Sequence, residues 1–294
     1  PYYLGGNNVY MLIHNEFHPE KFKSNPLYPQ YSSCSSTNVC QPYTTVTAAF
    51  SVDKGKTYAQ TDPVTPVAVM PNFTTFNPSD QAMGYGGHSN IITRVEGGTT
   101  FYYSIVHIVK DPSTSGQGLC VIRTPSPLVE TSVWLGYSGS AGGVPQFTAD
   151  LSGADSCTPL PQPQIATMHD SLTYNSSFGK FMLVGAHGQS VDIGNGEQLM
   201  TGFYYSLSDD LVNWSDPVLI AFAKMPWTSS SAPGVELQVG STTVLYPSLI
   251  DHDSSDDTGN FSVADNDNVY LYYSKQPTAG VVTSVLVRRE ITFK

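Results

Sequence analysis

The chain predicts an all-β fold made of repeated four-stranded antiparallel sheets, and three observations lead to it. Its apolar segments are short and rich in Val, Leu, Tyr and Phe, the composition of strands. Gly, Ser, Asn and Asp separate them, 25 Gly and 21 Pro in 294 residues leave room for many turns, and no long amphipathic helix is evident. The unit also recurs: first strands PYYL, HSNIIT, HDSLTY and YPSLID precede second strands VYMLIHNEFH, TFYYSIVHIV, KFMLVGAHGQ and VYLYYSKQ. The repeats start roughly eighty residues apart, long for one sheet unless loops are inserted. Polar and apolar positions alternate poorly within each unit, as expected for sheets pressed between neighbours. Such sheets stacked about an axis make a β-propeller. The prediction is a single domain, 1–294, with five blades, four of them visible at approximately 1–62, 85–150, 166–223 and 243–294.

Taken in order, the first unit holds a strand, a Gly-Gly-Asn-Asn turn, a second strand and a third, TTVTAAF. The third runs into Ser51, Asp53, Gly55, Thr57 and Tyr58, the Asp-box pattern, in which a buried Asp and a glycine at positive φ fix a hairpin. SLSDDLVNW, Ser206 to Trp214, stands at the corresponding place of the third unit. The Pro- and Thr-rich stretch from Gln60 to Gly84 reads as a crossing between blades, and Thr124 to Gly153 as another, with an outer strand near Trp134 and Tyr137. The last strand, SVLVRREITF, ends almost at Lys294, and Pro1 already lies in a first strand, so part of the closing blade is expected upstream of Pro1.

Composition limits the function classes. A net charge of −11 with only 13 Lys and Arg argues against nucleic acid, whose phosphates need a cationic surface. No stretch is long and apolar enough to span a membrane. Cys34, Cys40, Cys120 and Cys157 fit two disulfides in an oxidising compartment, with Cys34–Cys40 and Cys120–Cys157 the preferred pairing of three. Sequons at Asn72, Asn175, Asn213 and Asn260 agree with an extracellular, secreted protein, and Asn175 is expected in a turn from which a glycan projects.

YYSLSDDLVNWSDPVLI (Tyr204 to Ile220), YPSLID (Tyr246 to Asp251) and VYLYYSK (Val269 to Lys275) resemble the five-bladed glycoside hydrolases of the arabinanase, xylosidase and fructosidase group. The resemblance implies a carbohydrate partner, an oligo- or polysaccharide, and carboxylates on innermost strands facing a central pocket. Glycoside hydrolysis needs one carboxylic acid to protonate the leaving oxygen and a second carboxylate to activate water or attack the sugar. Asp170, beside His169 on the inner strand of the third blade, stands where the group places such a residue; the second blade offers His88 and Asn90 without a carboxylate.

The second candidate carboxylate comes from strand geometry. Alternation puts His14, Glu16 and His18 on one face, where two imidazoles flank a carboxyl able to act as acid or base. Glu16 and Asp170 are therefore the expected catalytic pair, with His14, His18, His88, Asn90, His169 and Tyr246 expected to bind substrate. A transition metal across His14, Glu16 and His18 is the weaker alternative, because HExxH works through helical spacing. His14, His107 and His187 occupy similar places in three second strands, which also suits a repeated structural histidine. No cofactor is required, but the acidic loop from Asp251 to Asn268 offers Asp251 and Asp253, then Asp256 and Asp257, to a structural calcium ion. A sialidase is disfavoured because the few arginines include Arg288 and Arg289, which point to opposite faces of one strand. The competing class is a non-catalytic carbohydrate-binding or scaffold propeller, since aromatic rings stack on sugars and also fill cores.

Overall fold

The computed structural model describes residues 1–26, 32, 34, 43–60, 67, 83–110, 118–149, 157–192, 197–225, 243–255, 259–266, 268–276 and 284–293. Strands and two short 3-10 turns are the regular elements among them, so the fold is all-β. No helix of the described residues is long and apolar enough to cross a membrane. The chain divides into two compact units, Pro1–Pro163 and Gln164–Lys294.

The first unit opens with an antiparallel meander, β1 (Tyr2–Gly5), β2 (Asn8–Phe17), β3 (Tyr43–Ser51) and β4 (Ala59–Gln60). Gly5 and Gly6, both at positive φ, turn β1 into β2. A second meander follows: β5 (Met83–His88), β6 (Ile92–Glu96), β7 (Thr99–Lys110), β8 (Gly118–Pro125), β9 (Leu135–Ala141) and β10 (Val144–Thr148). Here β6, β7, β8 and β9 form the four antiparallel strands expected of a blade, and β10 extends them as a hairpin with β9. The sequence does not announce β5, which lies at the end of the expected crossing. It pairs antiparallel with β7 and, through Tyr43↔Met83 and Thr44↔Gly84, parallel with β3. Gly84 makes this junction possible: its φ is +114°, and a Cβ there would stand 2.0 Å from the Thr44 carbonyl oxygen.

The second unit begins with β11 (Ser171–Asn175), β12 (Lys180–Asp192), β13 (Glu197–Ser208) and β14 (Val218–Phe222), again an antiparallel meander. Next come β15 (Thr243–Ile250), β16 (Val263–Ala264), β17 (Asn268–Gln276) and β18 (Val285–Thr292). β15, β17 and β18 form a three-stranded antiparallel sheet, while β16 leaves it to pair parallel with β11. One core joins the two sheets: Met182, Val184, Phe203, Ala223 and Met225 pack with Val244, Leu249, Val269, Leu271 and Tyr273. Ser171 Oγ, accepting the Leu249 N–H at 3.1 Å, ties the leading strands together.

Both Asp-box turns are closed by their own side chains. Ser51 Oγ accepts the Gly55 N–H at 2.8 Å, and Asp53 takes the Thr57 N–H and hydroxyl at 2.9 and 2.6 Å. Thr57, then Ser51, hold the Asp53 carboxyl down to about 2. Asp53 is half-buried rather than buried, a correction to the expectation, because its bonds lie within the surface turn itself. In the second box Asp210 accepts the Val212 and Asn213 N–H groups, Leu211 adopts φ +69°, and buried Trp214 donates its indole N–H to the Leu211 carbonyl.

Disulfide Cys120–Cys157 links β8 to the segment after β10, as expected. Cys34 is disulfide-bonded too, and its expected partner Cys40 lies outside the described residues. Asn175 corrects the sequence reading: it is fully buried at the end of β11, and its Oδ1 accepts the Phe178 N–H at 3.1 Å. The side chain closes the turn from inside instead of projecting from it.

The second meander encloses a cation. The Arg123 guanidinium lies 4.4 Å from the Phe101 ring centroid and 3.8 Å from that of Phe147, and its Nη1 donates to Glu96 at 2.6 Å and to the Tyr103 hydroxyl at 3.0 Å. Burial, partly offset by Arg123, pushes the Tyr103 phenol up to about 12. Arg123→Ala is expected to destabilise the first unit by roughly 3 kcal/mol, since it empties the aromatic slot and leaves Glu96 only Arg94 and the Tyr103 hydroxyl as partners. Arg123→Lys is expected to recover less than half of that loss, because an ammonium lacks the planar fork; urea unfolding of the three proteins measures both.

Candidate functional site

In the first unit the candidate residues gather where β2, β5 and β7 meet. Strand alternation brings His14, Glu16 and His18 to one side. His18 Nε2 lies 3.1 Å from Glu16 Oε2, and His14 Nε2 lies 3.8 Å from Glu16 Oε1. Glu20, on the 3-10 turn Pro19–Phe22, meets His18 Nδ1 at 3.1 Å and lengthens the chain of alternating acids and imidazoles. Sequence patterning misses Glu20 because the turn breaks the strand period. About half of the Glu16 side chain is exposed, so Glu16 is a paired carboxylate near the end of β2.

His88 ends β5 and donates Nδ1–H to the Ser89 carbonyl at 2.9 Å. Burial lowers its imidazole, against the pull of the Ser89 carbonyl, and the charge of His14 lowers it further. His107 on β7 is pushed down to about 4, by burial first and then by His14. Gly86 lets β5 pass over this ring, since a Cβ there would lie 3.3 Å from His107 Nδ1. His88 and His107 are thus kept neutral near pH 7. Asn90 is half-buried just beyond Ser89, whose hydroxyl donates to the Asn90 carbonyl at 2.8 Å.

In the second unit Asp170 stands immediately before β11. Its Oδ2 accepts the Ala186 N–H at 3.3 Å, and Thr167 donates its hydroxyl to the Ala186 carbonyl at 2.8 Å, so both backbone polar groups of one β12 residue hold this segment. The approach depends on Gly185, where a Cβ would lie 2.4 Å from the Met168 Cα. Burial pushes the Asp170 carboxyl up to about 7, and the Ala186 N–H offsets only part of that rise. His169 beside it is half-buried. His187 belongs to a different environment from His14 and His107: its ring meets Tyr204 edge-on at 5.1 Å, and burial lowers its imidazole.

Tyr246 lies in the same unit on β15, three residues before Leu249. It occupies φ +57° at a register shift, directly before Pro247, and is 69% exposed. Left-handed backbone in a bulky residue costs on the order of 1–3 kcal/mol, and here no burial of the ring offsets it.

Asp251 serves the loop that follows β15. It is 4% exposed, and its carboxylate accepts N–H groups from Asp253, Asp265 and Asn266 at 3.0–3.1 Å, together with the Asn266 side-chain amide. Asp253 itself is exposed. Asp256 and Asp257, the other carboxylates considered for calcium, lie outside the described residues. Among the described residues no group of three or more His, Cys, Asp or Glu side chains is arranged to hold a metal.

The buried acid and the buried imidazole predict opposite pH behaviour. Asp170 ionises in the unfolded chain near 3.8 but in the folded chain near 7, so its contribution favours folding below 3.8 and is lost as pH rises to 7. Asp170→Asn is therefore expected to stabilise the protein at pH 8 by up to about 4 kcal/mol and to change little at pH 3.5, as measured by urea unfolding. His107 favours folding above 6.5, and that contribution falls away between 6.5 and about 4. His107→Gln is expected to flatten the stability profile across that interval and leave it unchanged above pH 7.

Comparison with known proteins identifies no relative: no family model, no curated protein and no solved structure matches the chain.

Proposed function

We propose that the chain is a secreted, single-domain five-bladed β-propeller that binds a glycan and hydrolyses it, with Asp170 as the proton-donating carboxyl. The observation that carries this reading is the setting of Asp170. It stands half-buried ahead of the leading strand of a meander, with one backbone N–H on its carboxylate and a carboxyl raised by burial. A structural carboxylate would be expected to collect several donors, as Asp251 does; a general acid must instead hold its proton near neutral pH and release it to the leaving oxygen. Tyr246 supports the assignment, because an exposed ring on a costly backbone is suited to stacking on a sugar. Within the second unit His169 is assigned to substrate hydroxyls beside Asp170; within the first, His88 and Asn90 are assigned to hydroxyls and His14 and His18 to orienting Glu16. Repeated antiparallel meanders support the propeller, and disulfide Cys120–Cys157 supports an extracellular location.

A non-catalytic glycan-binding propeller is the second reading, and Glu16 favours it. Both of its oxygens face imidazoles, as in a structural ion pair. Glycan binding and cleavage by wild type, Asp170→Asn and Glu16→Gln separate the two. The enzyme reading expects Asp170→Asn to retain binding while losing turnover about a hundredfold or more. Binding without turnover in all three proteins overturns the hydrolase and leaves the binding module.

A further inference from the structure

We propose that Asn213 is an acceptor of an N-linked glycan in this chain, and that the fold withholds Asn175 and Asn260 from that role. Asn213-Trp214-Ser215 fills the second Asp-box turn. Its three side chains have separate positions: Asn213 is exposed, Trp214 is buried at 5%, and Ser215 Oγ accepts the Leu207 N–H at 3.0 Å. Asn213 Nδ2 donates to Asp210 Oδ2 at 2.7 Å. Glycan attachment removes one of the two Nδ2 protons and forms a bond to the anomeric carbon of a saccharide. The saccharide comes from a lipid-pyrophosphate donor, which leaves as the lipid pyrophosphate, while the proton passes to the transferase. One N–H remains on the nitrogen, enough to keep the Asp210 bond, so the folded turn and the modification are compatible.

The other two described sequons lack that freedom. Asn175 is 0% exposed, its Oδ1 holds the Phe178 N–H, and its backbone pairs with Ala264. A saccharide on its Nδ2 would have to part β11 from β16. Asn260 is 8% exposed. Asn72 lies outside the described residues.

The proposal rests on the secreted reading only for whether the native chain meets a transferase; the choice of site follows from the fold. The full chain, secreted from a eukaryotic host behind a cleaved signal, would carry a C-terminal tag with its own sequon. Chains with an occupied tag are treated with peptide-N-glycosidase in heavy-oxygen water and mapped by mass spectrometry. The expected result is an isotope-labelled aspartate at position 213, lost in Asn213→Gln, with unlabelled peptides at Asn175 and Asn260. An unlabelled Asn213 beside an occupied tag overturns the proposal, and so does a label on Asn175 in protein with native circular dichroism. Since the signal and tag guarantee the encounter, failure at Asn213 counts against the site and not against secretion.

Discussion

Phe181, Met182, Leu183, Val184, Gly185 and Ala186 are six consecutive buried residues of β12. Successive side chains of a strand point to opposite faces, so both faces of this sheet are covered. The middle strands β7 and β8 carry the same constraint, with Tyr103 to Val106 and Leu119 to Ile122 buried without interruption. A four-stranded meander of this kind cannot persist in water alone. In the second unit the requirement is met by stacking: the β15–β17–β18 sheet supplies Leu249, Val269 and Leu271 to the core that also holds Met182 and Val184. In the first, the parallel pairing of β5 with β3 joins one meander to the next. In the second unit, stacking of one sheet on another is thus the means by which short strands bury both of their faces.

The candidate residues occur where strands enter or leave this packing. Asp170 precedes β11, His88 ends β5, and Glu16 lies one residue before the end of β2. Middle segments have no space for a ligand, whereas strand ends combine a rigid backbone with access to solvent. The two carboxylates differ in surroundings as well as position. Glu16 has imidazole partners and solvent, while the Asp170 carboxylate accepts the Ala186 N–H. Burial raises the Asp170 carboxyl above its ordinary range.

Much of this was legible in the sequence, and the reasons differ from residue to residue. The strands were readable because their composition and turns repeat, and the Asp boxes because their chemistry is contained within eight residues. The common face of His14, Glu16 and His18 followed from alternation alone. β5 was not legible: Met83 to His88 contains three glycines, and its pairing with β3 depends on the space around Gly84 rather than on any apolar pattern. Asn175 misled because a sequon specifies residue types and not burial. Glu20 was hidden by the 3-10 turn that bends it back to His18. The raised carboxyl of Asp170 could not be read either, since it comes from burial that only folding creates.

Gly185 connects these observations. It has no side chain to offer a donor, acceptor or charge, yet the position of Met168 and Asp170 against β12 relies on the absence of its Cβ. A single added methyl group would press on the Met168 backbone and loosen the hold of Ala186 on the neighbouring carboxyl. The setting of Asp170 thus depends on a residue whose contribution is the space it leaves empty.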